Sequence, residues 1–112
     1  MKTIRKFLGA IVTTALASSS AYAGNSTGKV SNIFMHSPDV VMFAAGNING
    51  VPSCASGTKQ WAIKLSDPAG KGFLAILLSA QAQGKSVYVH GYTNTCRDWP
   101  DRELPSYIYI ID

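Results

Sequence analysis

The chain has 112 residues, of which 46% are hydrophobic and 14% charged, so it has room for at most one small domain. Ten Lys and Arg residues against six Asp and Glu give a formal net charge of +4. Lys2, Arg5 and Lys6 lie at the N-terminus, which leaves seven basic and six acidic residues, a net charge of +1, in the rest of the chain. A net charge of +1 argues against nucleic-acid binders and polybasic membrane ligands, which typically have a strong excess of basic residues.

The N-terminal segment has the pattern of a secretory signal peptide. An apolar run over 7–17 follows the basic residues, and Ala21-Tyr22-Ala23 matches the A-x-A ending that precedes the cleavage site. We predict a signal peptide over 1–23 and a single domain over 24–112 that is exported to the periplasm or secreted. The most apolar run of that domain, 73–78, is far shorter than the ~20 residues that a bilayer requires, so no membrane span is predicted.

Cys54 and Cys96 are the two cysteines of the chain, and both lie in the exported part. An even pair in an oxidising compartment predicts one disulfide. The bridge would close a loop of about forty residues, for which chain-entropy arithmetic gives a stabilisation of ~4 kcal/mol. A metal site of these cysteines with His36 and His90 is disfavoured, because none of the four has a ligand partner at close spacing. We therefore predict no metal and no other cofactor.

Apolar runs, some alternating and some continuous, predict five strands. They lie at 29–35, 40–45, 59–65, 86–92 and 107–111. The second run is apolar throughout, which is typical of a strand that is buried on both faces. In the third, alternation places Trp61 on the core side, and in the fourth it turns Val87 and Val89 inward.

One helix is predicted between the third and fourth strands, over about 72–83. Ser66-Asp67-Pro68 marks its start, because an oxygen side chain caps free N–H groups and proline in the first turn needs no donor. Gly84 supplies a left-handed stop. The predicted apolar stripe consists of Leu74, Leu77, Leu78 and Gln81, with Phe73, Ile76 and Ala80 beside it.

The predicted order is β-β-β-α-β-β. A single helix between the third and fourth of five strands is the element order of the OB-fold, a small and partly open Greek-key barrel. We therefore predict a mostly β (α+β) domain with one helix, an OB-fold-like five-stranded barrel. The competing architecture is a generic five-stranded sheet packed against one helix.

Aromatic residues make binding the favoured function class. Tyr88, Tyr92, Tyr107 and Tyr109 are predicted to face outward from the last two strands, and Trp99 lies in the loop between them. Aromatic faces beside hydroxyl groups suit sugars and other flat ligands, although tyrosine is also simply a favoured strand residue. Nucleic acid is not predicted as a partner, because a groove that stacks single strands is positively charged.

Catalysis is the less favoured class. His36 and His90 form a candidate acid/base pair, with Lys64 or Lys85 stabilising an anion, as in a small secreted hydrolase. The simpler interpretation places His36 at the start of a turn and His90 on the polar face of a strand. Because no G-x-S-x-G elbow or other nucleophile setting is present in the sequence, we predict that the protein is not an enzyme.

Four features of the segment 28–92 occur together. They are a glycine that opens the first strand (Gly28), a cysteine seven residues before Trp61-Ala62, an Ala-rich helix, and the strand start Gly84-Lys85-Ser86-Val87-Tyr88-Val89. Together they resemble the B subunits of subtilase cytotoxin and of its typhoid-toxin and pertussis-like relatives. The sequence departs from that family in having no cysteine in its second strand, 40–45.

The resemblance implies OB-fold subunits that assemble into a pentameric ring, bind cell-surface glycans and deliver a separate catalytic subunit. It also implies a glycan contact at Thr27, where the family has a serine just before the glycine of the first strand.

The sequence as a whole predicts an exported, non-enzymatic binding module that resembles a glycan-binding B subunit. The predicted ligand-binding residues are Thr27, Tyr88, Tyr92 and Trp99. An alternative of another class is a periplasmic protein-interaction or inhibitor domain that uses an edge strand. The last alternative is the small secreted hydrolase that uses His36 and His90.

Overall fold

The computed structural model describes residues 23–50, 54–55, 59–92 and 95–112, so the predicted signal peptide lies outside the described residues except for Ala23. The described part contains six strands and one helix in the order β-β-β-β-α-β-β. The elements are β1 (Asn25–Lys29), β2 (Ser31–Met35), β3 (Val40–Ala44), β4 (Gln60–Lys64), α1 (Gly70–Gln83), β5 (Ser86–Gly91) and β6 (Pro105–Ile110).

The strands form two three-stranded antiparallel sheets, with strand orders β1-β5-β6 and β2-β3-β4. The prediction of a mostly β protein with one helix is confirmed. The OB-fold-like five-stranded barrel and the order β-β-β-α-β-β are wrong, because six strands form two separate sheets and an unpredicted strand, β1, precedes most of the first predicted strand. The chain pairs with β5 as far as Lys29 and with β3 from Ser31 onward. The buried Val30 lies at this change of sheet.

Two local features explain why the pattern of apolar residues does not predict this change of sheet. The new strand β1 is composed mostly of polar and small residues, Asn25 to Lys29, which carry no apolar signal. Within β2, Asn32 has a φ of 52°, and the pairing register with β3 shifts between Ser31 and Phe34. A bulge of this kind bends a strand, and asparagine is among the few non-glycine residues that adopt the left-handed region readily.

Both sheets and the helix contribute to one buried apolar cluster. β3 is buried along its whole length, as predicted. The fully buried Trp61 of β4 lies opposite Phe43 in the antiparallel register, which confirms its core position. Val87 and Val89 of β5 are also fully buried, as the alternation predicts.

α1 begins at Gly70, and its N-cap residue Ala69 makes no side-chain capping bond. The predicted cap at Ser66 and Asp67 is therefore wrong. Ser66 instead donates its backbone N–H and its hydroxyl to the carboxylate of Asp39. The Ser66 side chain therefore links the turn before the helix to Asp39, and the carboxylate of Asp67 accepts a hydrogen bond from Arg97.

The C-terminal end of α1 is as predicted, since Gly84 adopts the left-handed conformation with a φ of 67° and its N–H donates to carbonyls of the last turn. The helix face that contacts the core is shifted from the predicted stripe. Leu77 and Ala80 are buried and Phe73 packs beside them, whereas Leu78 is 48% exposed. The sheets therefore contact the side of α1 that contains Phe73, Leu77 and Ala80.

A buried polar contact joins the two sheets. The indole N–H of Trp61 donates to the hydroxyl of Ser26 in β1 at 3.0 Å, and Ser26 is fully buried. This bond satisfies the one donor that a buried tryptophan carries.

We expect Ser26→Ala to lower the free energy of unfolding by about 1–3 kcal/mol, because the indole N–H would stay buried without an acceptor. Thr27→Ala is the matched control, since the neighbouring Thr27 is exposed and its loss should change stability by less than about 0.5 kcal/mol. Urea denaturation of both variants measures the difference. A Ser26→Ala protein as stable as the wild type would contradict the prediction.

The predicted disulfide is present between Cys54 and Cys96, whose Cα atoms are 6.0 Å apart. It joins the connection between β3 and β4 to the connection between β5 and β6, and it is compatible with an exported protein. Within the described ranges, no helix is long and apolar enough to cross a membrane. Across the same residues, no three His, Cys, Asp or Glu side chains are grouped so that they could hold a metal ion.

Candidate functional site

The outer face of the β1-β5-β6 sheet carries a group of four aromatic rings, which we call the aromatic face: Tyr88, His90, Tyr107 and Tyr109. Alternation in β5 directs the first two away from the core, and β6 presents the other two on the same side. The antiparallel register places Tyr88 opposite Tyr109 and His90 opposite Tyr107. Residues two positions apart on each strand thus meet their counterparts on the neighbouring strand.

The rings of the aromatic face are close enough to interact. The centroids of Tyr88 and Tyr109 are 5.2 Å apart, and those of His90 and Tyr107 are 5.1 Å apart in a stacked arrangement. Tyr107 and Tyr109 lie side by side with nearly parallel rings, 6.4 Å between centroids. These separations lie in the range of favourable aromatic pairs. About half of each outer phenol is open to solvent, 48% for Tyr107 and 52% for Tyr109.

The two inner rings are joined by a hydrogen bond. The hydroxyl of Tyr88 lies 3.0 Å from Nδ1 of His90. Burial and the neighbouring phenols of Tyr107 and Tyr109 raise the pKa of Tyr88 above its ordinary value of 10.0, so this phenol stays neutral at physiological pH. When Nδ1 accepts a hydrogen bond from the Tyr88 hydroxyl, Nε2 of a neutral histidine carries the ring proton and is a donor. The aromatic face therefore combines apolar ring surface with polar groups.

Polar side chains of β1 border the aromatic face on one side. Thr27 lies directly opposite Tyr88, and Asn25 lies opposite His90. Thr27 is exposed and Asn25 is half-buried. A hydroxyl and an amide group, each able to donate and to accept, thus follow the edge of the rings. Two of the four predicted binding residues, Thr27 and Tyr88, are therefore neighbours in the structure.

Tyr92 and Trp99 lie in other surroundings. Tyr92 follows the end of β5, is 54% exposed, and lines a cavity of about 220 Å³ next to the start of α1. Trp99 packs against a separate buried cluster of the other sheet, and its ring is 4.1 Å from that of His36. Among the described residues, no ring contact joins either of them to the aromatic face. Their part in binding stays a prediction.

The cavity beside Tyr92 has mostly apolar walls, and two cationic residues, Lys64 and Arg97, line it. The guanidinium of Arg97 donates to the carboxylates of both Asp67 and Asp98. Its charge is therefore balanced within the chain, and Asp98 is itself almost fully buried. Apart from Lys64 and the Arg97 ion pairs, the walls of the cavity are mostly apolar.

The two histidines of the hydrolase hypothesis lie in different aromatic groups. His36 contacts Trp99 beyond the end of β2, whereas His90 stacks on Tyr107 in the other sheet. No contact in the described part of the chain joins them. The structure does not bring this candidate acid/base pair together.

Three members of the aromatic face are not among the predicted ligand-binding residues: His90, Tyr107 and Tyr109. Their alternation in two strands is visible in the sequence and predicts that both tyrosines face outward, as observed. The pairing register of β5 with β6 is needed to show that the rings are neighbours. That register is a property of the folded chain.

Comparison with known proteins adds no relative to these observations. No protein-family model matches the sequence, and neither a curated protein nor a solved structure matches it. The resemblance to toxin B subunits thus stays a prediction from sequence motifs, and the functional assignment depends on the geometry of the sheet face.

Proposed function

We propose that the protein is an exported, non-enzymatic binding module whose aromatic face binds an oligosaccharide. One observation carries the proposal: four mutually packed rings lie on one solvent-facing sheet surface, bordered by the hydroxyl of Thr27 and the amide of Asn25. In the resemblance-based form of the proposal, five copies form a ring that presents this surface to a cell and delivers a separate catalytic subunit.

The chemistry of a sugar fits such a surface. A pyranose ring has apolar C–H faces that pack on aromatic rings, and its hydroxyl groups need donors and acceptors beside those rings. The half-exposed phenols of Tyr107 and Tyr109 supply the apolar surface, and Thr27, Asn25 and the Tyr88 hydroxyl supply the polar contacts. Because the surface is a sheet face and not a deep pocket, we expect it to bind several sugar residues with modest affinity per subunit. A ring of subunits would raise the overall affinity through multivalency.

We expect Tyr109→Ala to weaken oligosaccharide binding by about tenfold, because loss of one stacked ring removes on the order of 1.4 kcal/mol of contact energy. Tyr92→Ala is the matched control, since the two tyrosines are almost equally exposed, 52% and 54%. A glycan array with the oxidised wild-type protein identifies the ligand, and calorimetric titration of both variants measures the affinities.

Each pattern of results has a distinct meaning. Weaker oligosaccharide binding by Tyr109→Ala, with normal binding by Tyr92→Ala, supports the aromatic face as the binding site. Loss with Tyr92→Ala alone would move the site to the cavity beside that residue. Unchanged binding by Tyr109→Ala, or binding of single-stranded DNA in preference to every glycan, would contradict the proposal.

A second candidate function, protein binding through an edge strand, is favoured by a specific feature of β2. This strand is at the edge of its sheet, and its apolar residues Phe34 and Met35 are 39% and 52% exposed. Open edges pair with strands of other chains. Light scattering measures whether the protein is an oligomer, and conversion of that oligomer to a monomer by Met35→Lys would support β2 as the contact.

A further inference from the structure

Glu103 is an acidic residue in the core of the protein. It is 1% exposed and lies shortly before β6. Its backbone carbonyl accepts the N–H of Ala62 in β4 at 3.1 Å, which fixes this part of the chain against the core. Both oxygens of its carboxylate lie 3.0 Å from one atom, the backbone nitrogen of Gly24.

Two glycines create the space that the carboxylate occupies. A Cβ atom at Gly91 would lie 2.0 Å from Oε2 of Glu103, and one at Gly24 would lie 2.7 Å from Oε1 and 2.9 Å from Ile48. The N–H of Gly91 also donates to the carbonyl of Gly24 at 2.8 Å. The Gly24 nitrogen is therefore held against the carboxylate at a position that has no room for a side chain.

The carboxylate lacks a cation in this arrangement. As part of a peptide bond, the Gly24 nitrogen has one N–H to share between two oxygens. No salt bridge of the described residues includes Glu103. Burial raises the pKa of Glu103 to about 7, although the Gly24 N–H acts to lower it. A buried carboxylate is unfavourable unless a positive group pairs with it.

We infer that the Glu103 carboxylate is a binding site for a primary ammonium group, the α-ammonium that cleavage after Ala23 creates at Gly24. Hydrolysis of the Ala23–Gly24 peptide bond consumes one water molecule, leaves a carboxylate on Ala23, and turns the Gly24 nitrogen into an amine that takes up a proton. The resulting ammonium has three donors, so each carboxylate oxygen receives its own N–H. No movement of the chain is required, because the nitrogen already lies 3.0 Å from both oxygens.

This inference rests on the predicted cleavage site and does not depend on the oligosaccharide proposal. Its consequence is that export and stability are linked. While the leader is attached, a carboxylate is buried without a cation; removal of the leader supplies the missing charge. The ion pair also anchors the start of β1, the strand that contributes Thr27 and Asn25 to the border of the aromatic face.

The first experiment expresses the full-length gene in a host that exports it and determines the intact mass and N-terminal residue of the purified protein. A chain that begins at Gly24 is expected. A chain that begins elsewhere overturns the inference at its first step, and binding of a glycan by that chain would leave the proposed function standing.

The second experiment measures acetylation of the Gly24 amine with an isotope-labelled reagent, followed by mass spectrometry of the N-terminal peptide. We expect the exported wild-type protein to react at least about tenfold more slowly than its Glu103→Gln variant, since a carboxylate partner keeps the amine protonated. Asp98→Asn is the matched control, because Asp98 is a second buried carboxylate of the same connection and pairs with Arg97. It should react as slowly as the wild type.

Equal rates for the wild type and Glu103→Gln, or a fast rate in Asp98→Asn alone, would overturn the inference. If Glu103→Gln does not fold, the pH dependence of acetylation in the wild type gives the pKa of the amine. A pKa clearly above the ordinary range of about 7.7–8.0 is expected, and a value within that range would overturn the inference.

Discussion

Removal of the Cys54–Cys96 disulfide is expected to lower the melting temperature of the oxidised protein by about 20 °C. The two cysteines are 42 positions apart, and the constraint that a bridge of this span places on the unfolded chain is worth ~4 kcal/mol. For a domain of this size each kcal/mol shifts the melting temperature by roughly 4–8 °C. Because small domains are stabilised by only about 5–15 kcal/mol, this is a large part of the total.

The placement of the disulfide explains why the effect should reach the whole fold. It joins the connection that leads from β3 to β4, in one sheet, to the connection that leads from β5 to β6, in the other. The two sheets share a core through side chains such as Trp61 and Val87. In the unfolded state, the disulfide therefore keeps segments from the two sheets close to each other along the chain.

Thermal melts of the wild type and of the double variant Cys54→Ala with Cys96→Ala measure the loss. Dithiothreitol provides the control, since it should lower the melting temperature of the wild type and leave the double variant unchanged. A double variant that melts within about 3 °C of the oxidised wild type would contradict the prediction.

Local patterns in the sequence predict the elements whose structure depends on neighbouring residues. The continuous apolar run of β3, the alternation in β5 and the left-handed Gly84 are all found where the sequence places them. The disulfide is predicted too, because two cysteines in an oxidising compartment have a single possible intramolecular pairing.

The features that the sequence does not predict depend on residues far away in the chain. Ser26 and Glu103 are polar and nonetheless buried, because Trp61 and Gly24 bind them from distant positions. The unpredicted strand β1 and the change of sheet at Val30 likewise require two different partner strands, β5 and β3. The periodicity of apolar residues along the sequence does not show which strands pair with each other.

The candidate site shows the same limit. Alternation predicts that Tyr88 and Tyr109 face outward, but only the β5–β6 register makes them neighbours. Trp99 is close to these strands in sequence, yet it packs against buried residues of the other sheet. Proximity in the chain was therefore a poor guide to membership of the aromatic face.

The second large effect is a dependence of stability on pH that is set by Glu103. In a chain that retains Ala23, so that the Gly24 nitrogen stays an amide, we expect the free energy of unfolding to fall by about 3 kcal/mol between pH 4.5 and pH 7. The pKa of Glu103 is raised by burial from 4.5 to about 7 in the folded chain. The folded state therefore binds the proton more tightly, and this stabilisation is complete below the unfolded pKa and lost as the pH rises through the folded one.

Cleavage at Gly24 should abolish that loss. The new ammonium favours the charged carboxylate and draws its pKa downward, which removes the cause of the destabilisation near neutral pH. Urea denaturation at pH 4.5 and pH 7.5 of chains that begin at Gly24 and of chains that retain Ala23 measures the difference. In the second chain, Glu103→Gln is the control, because its amide does not titrate and its stability should change little over this range. A chain with Ala23 retained that is as stable at pH 7.5 as at pH 4.5 would show that the buried carboxylate tolerates its charge without the ammonium.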